Sequence, residues 1–339
     1  MIISILNRRL LILLISLIGL IFWQNAWGKD VNVLQGNIRF KLEIEGHGLQ
    51  YNVSVNDVVV FRQLDQDTQN KFELPLNHLM HPEKSKFSIL AGSSKVEPFP
   101  AGTEVKLTLL IQDRDSEASY RLPILSLNGD HVYDVDLKKI DGILKTGRYH
   151  LAKNNKVDSG SGEIELYNVK KEPHPTESDW FDYSRVVSVP NNLPLWAFFN
   201  MDDLPDYYAM TKDNLDSAIK DLFVGYKKVQ DALINDDIDS IMPMFKLRND
   251  ELDIAFDFEP GTMEKKLRAH MQELIDDPKA HLQIRTWDGS GIYREDNKKL
   301  VSLFRAKFSN LLGYQNENGI YSSLTIMFGK QNGKWVIAR

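Results

Sequence analysis

The sequence predicts an all-β antiparallel sandwich followed by an α+β domain, on three observations. Apolar and polar residues alternate with a period of two from Val31 to about Glu172. After Asp213 the period becomes helical. Between them, 173–212 is interrupted by Pro173, Pro175, Pro190, Pro194 and Pro205, as a connector would be.

Ahead of the sandwich, residues 1–28 read as a signal peptide. Arg8 and Arg9 form a cationic head, and an apolar run follows from Leu10 to Trp23. As a helix that run spans roughly 21 Å, short of the roughly 30 Å hydrocarbon core, so a cleaved signal is favoured over an anchor. Ala26-Trp27-Gly28 places small residues where a peptidase reads, and the cut is expected between Gly28 and Lys29. The expected address is periplasmic or secreted. The chain has no cysteine, which removes disulfides, a lipid anchor and Cys-based zinc together.

In the sandwich, expected over 29–172, Ile38, Phe40, Leu42 and Ile44 alternate with Arg39, Lys41, Glu43 and Glu45. Leu49, Tyr51, Val53 and Val55 repeat the pattern, and Asn56-Asp57 reads as a hairpin turn before Val58. Val105 to Ile111 alternates again. Leu125 and Leu127 lead to a second turn signal at Asn128-Gly129, and Tyr133 to Leu137 follows. Ile164 and Leu166 close the region. About eight strands without a helix indicate a sandwich.

The connector carries Trp180, Phe181, Tyr183 and Trp196. These are the candidate partner-binding anchors, since large aromatics dominate protein interfaces. The competing reading is that they staple the two domains together.

In the α+β domain, expected over 213–339, Leu215, Ile219, Leu222, Tyr226, Val229 and Leu233 share one helical face. A short second helix is expected from Ile238 to Phe245, with Pro243 against it. A strand is expected at Leu252–Phe258, and a third helix after Pro260-Gly261. Strands are then expected at His281–Trp287, Leu300–Phe308, Ile320–Phe328 and Lys334–Arg339, the last two joined at Asn332-Gly333.

These features carry a resemblance. The three helices, the second opening after Ile234-Asn235-Asp236-Asp237, and the closing Met327-Phe328-Gly329-Lys330-Gln331-Asn332-Gly333-Lys334-Trp335-Val336-Ile337 resemble the nuclear transport factor two-like (SnoaL-type) superfamily. The resemblance covers a little over a third of the chain. It implies a cone-shaped α+β domain with a pocket at its open end, a fold shared by enzymes, scaffolds and binding modules. The whole chain is also loosely similar to exported bacterial accessory and immunity-type proteins.

The chemistry-bearing residues form no recognised constellation. His270, beside the apolar stripe of the third helix, and His281, Trp287 and Tyr226 are the weak catalytic candidates the resemblance implies. Asp202, Asp203, Asp206, Asp213 and Asp216 lack the glycine and distal glutamate of a calcium loop. Asp113, Asp115 and Glu117 read as a solvated turn, and His78 and His81 are broken from helical spacing by Pro82. Ser93-Ser94 and 159–162 lack the setting of a nucleophile elbow. No metal and no cofactor is expected. A formal charge of −6 argues against nucleic acid as partner. The expectation is a non-enzymatic binding protein gripping a protein partner, with toxin neutralisation as its sharpest form. The alternatives are a cofactor-independent pocket enzyme and a carrier of a small apolar ligand or lipid.

Overall fold

In a computed structural model of the chain, the structure describes residues 38–92, 102–113, 119–129, 131–133, 149–151, 156–159, 162–166, 170–174, 177–189, 191–305, 310–316 and 321–339. The signal segment, Ser93-Ser94, Asp115 and Glu117 lie outside them. No helix among the described residues is long and apolar enough to cross a membrane.

Mostly antiparallel sheets are followed by three helices and further strands. The first strands are β1 (Ile38–His47), β2 (Gln50–Val55), β3 (Val58–Gln63), β4 (Asn70–Pro75), β5 (Lys84–Gly92), β6 (Glu104–Asp113) and β7 (Ser119–Asn128). β8 (His131–Tyr133), β9 (Tyr149–Leu151), β10 (Lys156–Ser159), β11 (Gly162–Leu166), β12 (Lys170–His174) and β13 (Glu177–Ser188) follow. One sheet runs β4-β1-β6-β7-β8, and the other β3-β2-β5-β13-β11-β10-β9 with β12 on β13. Their inner faces share one core, in which Phe40, Leu42, Ile44 and Leu107 of one sheet meet Tyr51, Val53, Ile89 and Tyr183 of the other. The alternation read in β1 is therefore the pleat of a half-buried strand. Asn56 and Asp57 both take positive φ, 51° and 61°, the type I′ turn their side chains favour.

β13 departs from the expected connector. Residues 177–188 form an interior strand, paired with β5 along Trp180–Ser188 and with β11 and β12 on its other side. The flanking prolines obscured it. Pro173 sits in β12, whose only described partner is β13, and the register shifts beside it; such a position tolerates a missing N–H. What links the two units is thus shorter, running from Val189 to Thr211.

Three helices open the C-terminal unit: α1 (Lys212–Ile234), α2 (Ile238–Phe256) and α3 (Thr262–Asp276). The expected strand at Leu252–Phe258 is instead the end of α2. Its apolar alternation is misleading, since Leu252 and Ala255 are buried while Ile254 is 59% exposed. Pro243 lies inside α2 and removes one backbone donor without ending it, because Ile241, Phe245 and Leu252 hold its inner face in the core. The helix stops at Asp257, in the left-handed region, where the Phe258 N–H reaches back to the Asp253 carbonyl.

The remaining strands are shorter than their apolar runs. β14 (Ala280–Leu282) ends well before Trp287, β16 (Val301–Phe304) is preceded by β15 (Gly291–Arg294), and β17 is Leu312–Asn316. The run at 320–328 divides into β18 (Tyr321–Leu324) and the start of β19 (Phe328–Gln331), which pairs with β20 (Lys334–Ile337). Asn332 and Gly333 turn that hairpin at φ 52° and 75°. Tyr226 of α1, fully buried, ties helix to strands: its hydroxyl donates to the Ile326 carbonyl and accepts from the Leu303 N–H. Gly225 beside it must lack a side chain, since a Cβ there would stand 2.7 Å from the Phe328 ring.

The two units meet around one buried ion pair. Arg339, the last residue, binds Glu251 of α2 at 2.6 Å, with both side chains nearly enclosed. The same guanidinium donates to the His78 carbonyl of the N-terminal unit, and the other Glu251 oxygen accepts from the Ala197 N–H. Trp196 fills the adjoining space and donates its indole N–H to the Asn77 carbonyl. Removing one partner of a buried pair leaves an uncompensated charge, so Arg339→Ala or Glu251→Ala is expected to cost about 3–5 kcal/mol. Urea denaturation checks this; a loss below about 1 kcal/mol, the worth of a surface pair, would refute it.

Candidate functional site

The expected anchors divide by burial. Tyr183 is 2% exposed and Trp196 1%, so neither has surface to offer a partner. Trp196 is the staple between units, and Tyr183 an inner-face residue of β13. Phe181 is half-buried beneath the Lys171 ammonium, and the half-buried Trp180 indole lies over Gly92, where a Cβ would clash at 2.3 Å. Two of the four are thus interior and two half-buried.

The histidines do not converge either. His270 on α3 and His281 on β14 are both exposed on separate elements. Trp287 is half-buried under the Lys220 ammonium, and the Tyr226 hydroxyl is fully engaged. The interior of the C-terminal unit holds Met242, Phe245, Met271, Leu303, Leu312 and Phe328. The acidic run has local partners: Asp202 accepts from the Gly333 N–H, Asp203 pairs with Lys299, Asp206 caps Tyr208, and Asp216 pairs with Lys212. Asp213 sits in the first turn of α1, where the helix dipole favours it. His81 uses Nδ1 to accept from the Glu83 N–H.

A groove of about 410 Å³ opens instead at the junction. Its walls are Arg39, Phe40 and Lys41 of β1 with Pro75 and Asn77, facing Phe256 at the end of α2, then Phe258, Met263 and Lys266. Asn77 pins the first wall: its Oδ1 accepts from Phe40 N and its Nδ2 donates to the Ile38 carbonyl. Asp253 pins the second. It is 3% exposed, and its two oxygens accept from the Gly261 and Met263 N–H groups at 2.7 Å each. One buried carboxylate thus closes the α2–α3 turn and caps α3, fixing Phe258 and Met263. The Lys266 ammonium stands 3.9 Å over the Phe258 ring, and Lys41 pairs with Glu73.

Sequence reading missed this site because its walls are far apart in the chain. Asp253 fell within the expected strand, and Lys266 on a solvated helix face. A second cavity, of about 360 Å³, lies where α2 begins, lined by Asp236, Asp237, Asp239, Arg268 and Gln272. Its Arg268 is already bound to Asp239 and Glu264.

Two buried titratable groups frame the junction. His78, next to Asn77, packs its ring 5.5 Å from Phe256 and leaves Nδ1 buried without a partner. Burial first, then the Arg339 and Arg248 charges, push its pKa down to about 3. At the other end of the seam, Glu295 is 2% exposed and accepts from the Val59 N–H at 2.9 Å. Burial pushes its carboxyl up to about 7, against the backbone bond and Arg62. The Asn297 N–H donates to the Asp57 carbonyl there, and Arg62 lies over the Tyr293 ring.

Comparison with known proteins found no matching family model, no matching curated protein and no matching solved structure.

Two outcomes are expected from this geometry. Asp253→Ala leaves two buried N–H groups unpaired and is expected to cost about 2–4 kcal/mol, at about 1–3 per group with partial relief by water, read by thermal or urea unfolding. For Glu295 the folded pKa is raised, so its stabilisation is complete below 4.5 and is lost as pH rises towards about 7. For His78 the folded pKa is lowered, so stability falls as pH drops from 6.5 towards about 3. The two slopes oppose between 4.5 and 6.5. Glu295→Gln is expected to unmask the His78 slope, giving stability that climbs steadily with pH to 6.5; an unchanged pH profile would refute the assignment.

Proposed function

We propose that this chain is an exported, non-catalytic binding protein whose ligand sits in the junction groove. The observation that carries the reading is the groove itself: an apolar floor with cations around it, at the boundary between the two units. Ligand sites favour such boundaries. The groove lining contains no nucleophile beside a base and no acid–base pair, while the histidines a pocket enzyme would use are exposed elsewhere. The Arg8-Arg9 head and the apolar run behind it support export to the periplasm. Three helices beside short strands support the cone-like reading of the C-terminal unit, with its interior serving as core.

Within this reading, a small ligand with an apolar body fits better than a protein gripped by connector aromatics. Tyr183 and Trp196 are interior, and the groove is concave. Native mass spectrometry of the purified protein tests this. A one-to-one small-molecule adduct is expected, and Met263→Asp, which puts a charge on the groove wall, is expected to abolish it. Recovery of bare chain together with a stoichiometric protein partner that Met263→Asp leaves bound would restore the protein-gripping, toxin-neutralising form and overturn the carrier.

A further inference from the structure

We infer that the groove takes a single-chain amphipathic anion, a fatty-acid-like carboxylate whose chain lies on Phe256, Phe258 and Met263 and whose head meets the Arg39 and Lys266 cations. The inference rests on the proposal that the groove is the ligand site, and it names the ligand's chemistry.

Charge is the first argument. The chain carries a formal −6, yet the nine groove-lining residues include three cations and no acid; Lys41 is paired with Glu73, which leaves Arg39 and Lys266 as the rim charges. A local basic rim in an acidic protein concentrates anions at that place and repels cations. Lys266 is held over the Phe258 ring, which keeps its ammonium at the groove while its carbon stem adds apolar surface.

The second argument is the lack of free polar partners on the groove floor. Asn77 uses both side-chain atoms on β1, and its carbonyl accepts from Trp196. β1 is paired with β6 from Ile38 to His47 and with β4 from Lys41 to Gly46. Before Lys41 the Asn77 side chain and the Leu76 N–H take the Ile38 carbonyl and both Phe40 backbone groups, so β1 offers no open edge there for strand addition. An extended peptide brings an N–H and a C=O at every residue, and these would be desolvated here without partners. An acyl chain brings none, and its one polar end is the anion the rim supplies for.

Size is the third argument. A cavity of about 150 Å³ accepts one benzene, so about 410 Å³ suits a body two to three times larger. That fits a medium-length chain folded along the groove, and is small for a phospholipid with two chains.

Isothermal titration of the purified protein with dodecanoate, dodecanol and dodecyltrimethylammonium, each below its micelle concentration, tests the inference. Dodecanoate is expected to bind one-to-one, and dodecanol at least about tenfold more weakly, the worth of one charge-assisted hydrogen bond. The ammonium probe is expected not to bind. Lys266→Glu combined with Arg39→Glu, both at exposed positions, is expected to weaken dodecanoate at least about tenfold and dodecanol by much less. Dodecanol binding as tightly as dodecanoate would keep the groove as a ligand site and overturn the anion. Dodecanoate binding unchanged in the double variant would place it elsewhere and overturn the inference. If no probe binds, the inference and the ligand-site reading fall together.

Discussion

The arrangement of the two units depends on the Glu251–Arg339 pair. It is the point at which α2, the C-terminal residue, the turn at Asn77–Leu79 and the linking segment meet, and each contributes a polar group the others satisfy. Buried ion pairs contribute little when compared with a well-packed apolar alternative, but they are demanding about geometry. Here the two Glu251 oxygens have different partners, one on the linking segment and one on the chain end. No sliding of one unit over the other preserves both. The pair therefore sets the relation between units, and with it the width of the groove, whose walls begin one residue away at Asn77 and five residues away at Phe256.

The same reasoning explains what the sequence revealed. Side-chain alternation in β1 and β2 and the turns at Asn56-Asp57 and Asn332-Gly333 were legible because each is decided locally, by period and by tolerance of positive φ. β13 was not, because the prolines around it were read as punctuation, whereas Pro173 lies on β12, whose only described partner is β13 and whose register shifts beside it. α2 was cut short for a similar reason: Pro243 costs one hydrogen bond locally, but burial of Ile241, Phe245 and Leu252 outweighs it. In each case a tertiary contact overrode a local rule.

The groove was still less legible. Its cations come from β1 and α3, which the sequence keeps more than two hundred residues apart, and each looks like an ordinary solvated position in its own element. Its two pinning residues, Asn77 and Asp253, act on backbone groups that lie 37 to 39 and 8 to 10 residues away. A polar residue serving distant backbone has no periodic signature. The aromatics drew attention in the sequence because they are large and clustered. The structure uses Tyr183 and Trp196 for what large aromatics do most often, which is to fill a core.

The proposed ligand site lies at the junction of the two units. Among the described residues each core is packed with apolar side chains that fit one another. The junction combines apolar packing by Trp196, Phe198 and Ala338 with directional polar contacts around Glu251 and Arg339, which fix how the two units are set. Beside them, the groove opens between β1 and the end of α2. Water there would find few partners, since Asn77 and Asp253 are already satisfied. An apolar body therefore gains from displacing it, and the surrounding cations decide which sign of head group that body carries.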